Sequence, residues 1–129
     1  MGIFNSIFGS SDNQYQEGSK INWNNLEHLD QLDKIINESH EKSVVIFKHS
    51  TRCSISRMAL KQFEREYNLE NRVDAYFLDL LNHRDISNEI ANRFGVYHQS
   101  PQMIVVKDGK SVLDASHSDI DVESLKKFL

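Results

Sequence analysis

The stretch SVVIFKHSTRCSIS, residues 43–56, decides the fold of this 129-residue chain. Its first part, Ser43 to Phe47, is short, β-branched and almost wholly apolar, which is typical of a strand buried on both faces of a sheet. Its second part is polar and leads to Cys53, the only cysteine in the sequence. The following residues carry apolar side chains at helical spacing: Ile55, Ala59, Leu60, Phe63 and Tyr67. The stretch therefore predicts a buried strand, a polar turn and a helix that begins at the thiol.

Strand and helix also alternate upstream of this stretch. We predict a short edge strand over Ile21–Trp23 and then a helix capped by Asn24 or Asn25. The apolar residues of that helix recur at helical spacing: Leu26, Leu29, Leu32, Ile35 and Ile36.

The downstream half adds a strand, a helix, a hairpin and a last helix. Residues 73–80 predict a buried strand, and the helix after it is capped by Asn82, ends at Gly95 and carries Ile86, Ile90, Ala91 and Phe94. Strands over 102–106 and 111–115 flank Asp108-Gly109, a strong signal for an antiparallel hairpin. The last helix begins at Ser118, Asp119 or Asp121 and packs Val122, Leu125, Phe128 and Leu129.

The predicted order, β-α-β-α-β-α-β-β-α, indicates an α/β fold with thioredoxin topology. Alternating units imply a central mixed sheet, mostly parallel, with helices on both faces, and the hairpin adds an antiparallel edge. In open α/β sheets, function sits beyond the carboxyl ends of the strands. Cys53 lies at such a point.

Length and composition restrict the class of protein. The chain fits one domain, which we place at residues 19–129, after an apolar hook and flexible connector over 1–18. Gly2 and Ser6 also match the loose myristoylation pattern, an alternative use of the same segment. A net charge of −4 argues against nucleic acid, and no apolar run is long enough to span a membrane. The lone cysteine and the lack of a signal pattern indicate a reducing cytoplasm.

Polar groups around Cys53 favour the thiolate. A helix dipole contributes roughly 0.3 to 2 kcal/mol, which falls short of what a reactive thiol needs, so hydrogen bonds must add to it. The candidates are the backbone N–H groups of Ile55 and Ser56, the Ser56 hydroxyl and the positive charge of Arg52. The alternative is that Cys53 is a small buried hydrophobe.

His49 is predicted as a residue on the rim of the site, at the end of its strand. It could instead carry a proton or bind a metal with Cys53, but one cysteine and scattered histidines lack the paired spacing of a zinc site, so no metal is expected. Pro101, the only proline, precedes a strand, where a trans peptide bond is the default.

The motif around Cys53 resembles the thioredoxin superfamily and, within it, the monothiol, YtxJ-like bacilliredoxins, from about Ile21 to Leu129. Thioredoxins carry Cys-x-x-Cys where this chain has Cys53-Ser54-Ile55-Ser56, so serine occupies the resolving position. The bacilliredoxins are similar in carrying Thr-Cys-Pro-Ile-Ser after a His-Ser-Thr loop. This chain departs from them at Arg52 and Ser54, and serine restores a backbone N–H that proline lacks.

The resemblance implies a function. Ser100-Pro101 looks like the cis-proline loop, whose Ser100 backbone pairs with a substrate segment beside the thiol, with His49 at the same substrate-binding rim. Cys53 then removes bacillithiol, or a similar small thiol, from S-bacillithiolated cytosolic proteins through a mixed disulfide. Bacillithiol is the co-substrate, and no tightly bound cofactor is implied. The buried acid of many thioredoxins is absent, because Val45, Ile46 and Phe47 fill its strand.

Two other functions compete with disulfide exchange. The chain could be a non-catalytic adaptor that binds a partner in the groove near Pro101. It could also be a monothiol glutaredoxin-like iron–sulfur carrier, although the Cys-Gly-Phe-Ser signature of that group is replaced at Ser54-Ile55.

Overall fold

Five strands form one mixed sheet in the computed structural model, which describes residues 21–129. The strands are β1 (Asn24–Asn25), β2 (Val44–His49), β3 (Asp74–Asp79), β4 (Gln102–Lys107) and β5 (Lys110–Ser116). Their spatial order is β1-β3-β2-β4-β5, with β1, β3 and β2 parallel and β4 antiparallel to both β2 and β5. The predicted mixed sheet with an antiparallel hairpin at its edge is therefore confirmed, and β2 lies at its centre.

Helices cover both faces of this sheet. They are α1 (Gln31–Glu38), α2 (Ser54–Glu66), α3 (Arg84–Phe94) and α4 (Val122–Lys126), with single 3-10 turns at Glu70–Arg72 and His117–Asp119. Successive side chains of β2 point to opposite faces. Val45 and Phe47 pack in a core with α2 and α4, whereas Val44 and Ile46 pack in a second core with α1 and α3. The buried apolar run that predicted β2 thus contributes side chains to two cores.

The first strand lies later in the chain than its pattern predicts. Ile21–Trp23 is not a strand, and Asn24 and Asn25 pair instead with Tyr76 and Phe77 of β3. Ile21 is buried in the core, while Trp23 packs its ring on neighbouring aromatic rings and donates its indole N–H to Glu64 Oε2 at 2.8 Å. The apolar character of this segment therefore reflects core packing rather than strand pairing.

The first helix begins later than expected, so the predicted caps Asn24 and Asn25 are wrong. Leu26 is buried, but its N–H donates to the Phe77 carbonyl at 2.9 Å, and Leu29 is exposed. The side-chain oxygen of Gln31 accepts the N–H groups of Glu27 and His28 at 2.7 and 2.8 Å. These bonds hold a turn ahead of α1 that the apolar spacing does not reveal.

The third helix also begins later than predicted, at Arg84. Its N-cap position is occupied by His83, so the predicted cap Asn82 is wrong. Asn82 donates its side-chain amide to Asp79 Oδ2 at 2.9 Å instead of capping the helix. Its side chain therefore connects the end of β3 to the loop that leads into α3.

Other turns and caps follow the sequence signals. Asp108 and Gly109 adopt positive φ angles of 54° and 78°, as the tight hairpin turn requires. Gly95 ends α3 with a φ of 67°. Of the three predicted caps for the last helix, Asp121 is the one used, because its carboxylate accepts the Ser124 N–H at 2.7 Å.

The predicted hook over residues 1–18 and the myristoylation pattern lie outside the described residues. Within residues 21–129, no helix has the length and apolar character needed to cross a membrane.

Candidate active site around Cys53

Cys53 is the residue immediately before α2. Its backbone is extended, with φ −108° and ψ 121°, and the residue is partly exposed. Its carbonyl accepts the Arg57 N–H at 3.1 Å, which closes the first turn of the helix. The first N–H groups of a helix have no partner within it and make its amino end positive. The structure thus places Cys53 at the amino end of α2, where its side chain makes no hydrogen bond to the first N–H groups of the helix.

A tight turn leads into this helix. The Cys53 N–H donates to the Ser50 carbonyl at 3.2 Å, and Arg57 Nη1 donates to the Thr51 carbonyl at 3.0 Å. Arg57 is a site residue that the sequence analysis missed, although its position four residues after Cys53 on a helix could have indicated it. Arg52 and Ser54 are exposed beside the thiol.

Ser56 has a different environment from the one predicted. The residue is 0% exposed, and its hydroxyl accepts the Ser50 N–H at 3.0 Å and lies 2.8 Å from His49 Nδ1. The hydroxyl expected to stabilise the thiolate is therefore engaged by these two residues. Ile55, expected on the inner stripe of α2, is 56% exposed. The inner face of α2 begins at Ser56 rather than at Ile55.

His49 is buried, so its predicted place on the rim is wrong. It is the last residue of β2 and is 4% exposed, with its ring 5.4 Å from the Phe77 ring. Burial lowers the pKa of His49 below its ordinary value and Arg57 adds to this, while the charge of Asp79 and a backbone hydrogen bond of Ser56 oppose it. Burial dominates, so the imidazole is neutral at pH 7.

Asp79 is a second residue that the sequence analysis missed. It ends β3 and is the register neighbour of His49 across the parallel strands. Asn82 donates to its Oδ2, while Oδ1 is buried and accepts no hydrogen bond from the described residues. A carboxylate thus lies beside the His49–Ser56 pair, in the strand adjoining β2 rather than within it.

The Ser100–Pro101 peptide bond is cis, which confirms the expectation drawn from the resemblance. The next residue, Gln102, faces Lys48 across β2 and β4, so Pro101 lies at the same end of the sheet as His49. Pro101 is buried, and its carbonyl accepts the His117 N–H at 3.1 Å. Ser100 is half-buried, with a hydroxyl that has no hydrogen-bond partner among the described residues. The Ser50–Cys53 turn and the Ser100–Pro101 loop therefore lie at the same end of the sheet.

A buried lysine lies on the other face of the sheet at the same end. Lys48 is 0% exposed, and its ammonium donates to His98 Nδ1 at 2.9 Å, with Ser87 Oγ 3.1 Å from the same nitrogen. Burial lowers the pKa of Lys48 to about 8. Burial also lowers the pKa of His98, and the charges of Lys48 and Arg84 act in the same direction. No local sequence pattern indicates this contact, because its partners are distant in the chain.

The part of the chain that the structure describes contains no group of three or more histidine, cysteine, aspartate or glutamate residues arranged to hold a metal ion.

Comparison with known proteins identifies similar chains. A family model described as monothiol bacilliredoxin BrxC matches residues 24–125. A solved structure described as a candidate oxidoreductase with a thioredoxin fold is 35% identical, with a TM-score of 0.71, over 88% of this chain and 96% of its own. Thioredoxin from Malassezia sympodialis is 20% identical, with a TM-score of 0.64, over 85% of this chain and 90% of its own. Thioredoxin from Schistosoma mansoni is 23% identical, with a TM-score of 0.63, over 87% of this chain and 100% of its own. The two thioredoxins are similar in fold.

Proposed function

This chain belongs to the monothiol bacilliredoxin family, and on that premise we propose that it removes bacillithiol from S-thiolated proteins as a monothiol disulfide oxidoreductase. The family and the thioredoxin fold support a thiol redox function. The observation that carries the proposal is the position of Cys53. The only thiol of the sequence is partly exposed at the amino end of α2, at the end of the sheet where the Ser100–Pro101 loop also lies.

The proposed reaction is thiol–disulfide exchange in two steps. The Cys53 thiolate attacks the bacillithiol sulfur of the client's mixed disulfide, so a Cys53–bacillithiol bond forms as the client's S–S bond breaks. The client cysteine leaves as a thiolate and takes a proton from water. A second bacillithiol thiolate then attacks the bacillithiol sulfur on Cys53, which releases the Cys53 thiolate and oxidised bacillithiol. No tightly bound cofactor takes part.

Ser56 explains why a second bacillithiol is needed. In a dithiol protein, a cysteine in its place would attack the mixed disulfide from within. A hydroxyl cannot do so, and this one is buried and hydrogen-bonded. The mixed disulfide on Cys53 therefore persists until a thiol arrives from solution.

An apolar surface beside the thiol supports a protein client. Ile55 and Met58 are 56% and 71% exposed on the same side of α2, and Tyr97 is 89% exposed in the segment that leads to Pro101. Exposed apolar side chains grouped at one end of a domain are typical of protein contact sites. We expect an extended client segment to pair with the Ser100 backbone while its side chains contact this surface, and we expect the reaction to take place in the cytoplasm.

Mass spectrometry with defined disulfides tests the function. The reduced protein is incubated with oxidised bacillithiol, with oxidised glutathione and with a small protein that carries one bacillithiol on a cysteine, and intact masses are recorded over time. We expect the added mass of bacillithiol on Cys53 and release of the client thiol. Cys53→Ser abolishes both, and wild-type protein alkylated at Cys53 serves as a control that keeps the native sequence.

A protein that stays unmodified by all three disulfides contradicts the proposal. If it still binds the client protein, the adaptor function is favoured. Purification with bound iron and a visible absorption band favours the cluster carrier. If oxidised glutathione is the only disulfide that modifies the protein, monothiol exchange is supported, but bacillithiol as the co-substrate is contradicted.

A further inference from the structure

Ser56, the serine in the resolving position, lies in the first turn of α2, and its hydroxyl contacts two residues that precede Cys53. Ser56 Oγ accepts the Ser50 N–H at 3.0 Å and lies 2.8 Å from His49 Nδ1. Both Ser56 and His49 are buried. The contacts join the end of β2 to the first turn of α2, and the loop between them carries Cys53.

The hydroxyl proton is free for another acceptor only when the His49 ring carries its own proton on Nδ1. A serine hydroxyl has one proton and two lone pairs. One lone pair is occupied by the Ser50 N–H. Because the neighbouring imidazole is neutral at pH 7, the hydroxyl either donates to an unprotonated Nδ1 or accepts a proton from Nδ1 with its second lone pair. The hydroxyl is engaged by Ser50 and His49 in both tautomers of the ring.

The bonds made by Ser56 fix the turn that presents the thiol. Ser50 is held through its N–H by Ser56, and its carbonyl accepts the Cys53 N–H at 3.2 Å. A chain of two hydrogen bonds thus runs from the buried hydroxyl through Ser50 to Cys53. Removal of the hydroxyl leaves the partly buried Ser50 N–H and the buried Nδ1 of His49 without this partner.

We propose that Ser56, oriented by His49, is a positioning residue that holds the Ser50–Cys53 turn so that the thiol stays at the amino end of α2. The inference rests on the proposed function, in which Cys53 reacts. It extends that function, because the serine then acts in the site and is more than a replacement for a second cysteine.

The charged groups around His49 define how the hydrogen bond between His49 and Ser56 responds to pH. Asp79 approaches from β3, and Arg57 approaches from α2. A protonated imidazole must donate through Nδ1 to Ser56, which leaves the hydroxyl proton in need of another acceptor. We expect the acid limb of the wild-type reactivity profile to include this rearrangement, so a variant without a titrating group at position 49 lacks that part of the limb.

Two readouts that need no bacillithiol test the proposal. Hydrogen exchange reports the Ser50 amide, and the rate of Cys53 alkylation by iodoacetamide is measured from pH 5 to pH 9. Ser56→Ala is expected to speed exchange of the Ser50 amide about tenfold and to slow alkylation by a similar factor, because the hydrogen bond from the Ser50 N–H to the Ser56 hydroxyl is lost. His49→Asn keeps a hydrogen-bonding group near the position of Nδ1, so we expect it to retain most of the wild-type alkylation rate at pH 7. His49→Leu has no such group, and we expect its alkylation to be slower.

Ser43→Ala is the matched control. Ser43 is also a buried serine and donates its hydroxyl to the Phe128 carbonyl at 2.6 Å, but it lies at the opposite end of β2. We expect this variant to lose stability without a change in either readout. The proposal is overturned if Ser56→Ala matches the wild type in both readouts, or if Ser43→Ala changes them equally.

The pair of His49 variants decides the question if Ser56→Ala does not fold. Equal alkylation rates for His49→Asn and His49→Leu at pH 7, or an acid limb in both variants that matches the wild type, would then overturn the proposal. Failure of the proposed function is a separate result. In that case the wild type does not exchange with oxidised bacillithiol, while the alkylation and amide-exchange ratios between variants still decide the role of Ser56.

Discussion

Replacement of Lys48 by methionine is predicted to stabilise the protein at neutral pH. Lys48 is fully buried in the central strand, and within residues 21–129 its ammonium contacts the His98 imidazole rather than a carboxylate. Methionine has a similar length and is unbranched, so it can occupy the same space without a charge. His98 Nδ1 keeps Ser87 Oγ, 3.1 Å away, as a partner. The substitution therefore removes a buried charge without isolating the imidazole.

The size of the effect follows from the pKa of the lysine. Burial lowers it from 10.5 to about 8, and each pKa unit corresponds to about 1.4 kcal/mol. The protonated lysine thus lowers the free energy of unfolding by about 3 kcal/mol at pH 7. The methionine variant also loses the bond to His98 and repacks imperfectly, so we expect a net gain of about 1 to 3 kcal/mol.

The sign of the pH dependence provides a second test. Between pH 8 and pH 10.5 the unfolded chain keeps the Lys48 proton while the native protein has released it. The unfolded state binds more protons in this range, so the contribution of Lys48 makes the free energy of unfolding rise with pH. Below pH 8 both states are protonated and the cost is constant. The advantage of Lys48→Met over the wild type should therefore be full at pH 7 and shrink towards pH 10.5.

Urea unfolding followed by Trp23 fluorescence at pH 7, 8, 9 and 10 measures this difference. Lys61→Met, which replaces an exposed lysine on α2, is the matched control and should stay within about 0.5 kcal/mol of the wild type at pH 7. A Lys48→Met protein that is less stable than the wild type at pH 7, with a difference that does not change with pH, would refute the reasoning. The ammonium would then stabilise the fold through His98 by more than its burial costs.

Three further substitutions test the site and the turns. Ser56→Cys places a second thiol three residues after Cys53, on the first turn of α2, so oxidation should form an intramolecular disulfide. Intact mass and thiol counting check this result, and two free thiols that persist after oxidation would contradict it. Gly109→Ala puts a side chain at a φ of 78° and should lower the free energy of unfolding by about 1 kcal/mol in urea; an unchanged midpoint would argue against the tight turn. Asp121→Ala removes the bond to the Ser124 N–H and should cost about 1 kcal/mol, with faster exchange of that amide; unchanged exchange would contradict the cap.

Much of the fold could be predicted because its signals are local. The apolar run of β2 indicates a buried strand whatever surrounds it, and Asp108-Gly109 favours a turn that few other residue pairs adopt. Gly95 ends a helix for the same backbone reason. The place of Cys53 before α2 follows from the change from strand to helical spacing. The motif around Cys53 carried the family resemblance in the same way, since its residues are consecutive.

The first two elements could not be predicted in detail, because their apolar residues have non-local partners. Ile21 and Trp23 are apolar since they enter the core and the aromatic cluster, and not because they pair in the sheet. Leu26 lies before its helix because its N–H bonds to Phe77 on another strand. Spacing along the chain records that a residue is buried, but not which element buries it.

The environment of the site was decided by the tertiary structure. The sequence determined a lone thiol at a helix start, with Ser56 in the resolving place, but the helical period does not set which side of α2 faces the sheet. Packing of α2 against the core turned Ser56 inwards and Ile55 outwards. Lys48 and His49 looked like polar residues at a strand end, yet β3 pairs with both and β4 with Lys48, which prolongs the sheet and buries them. The physical reason is that burial of a polar side chain depends on partners supplied by distant segments.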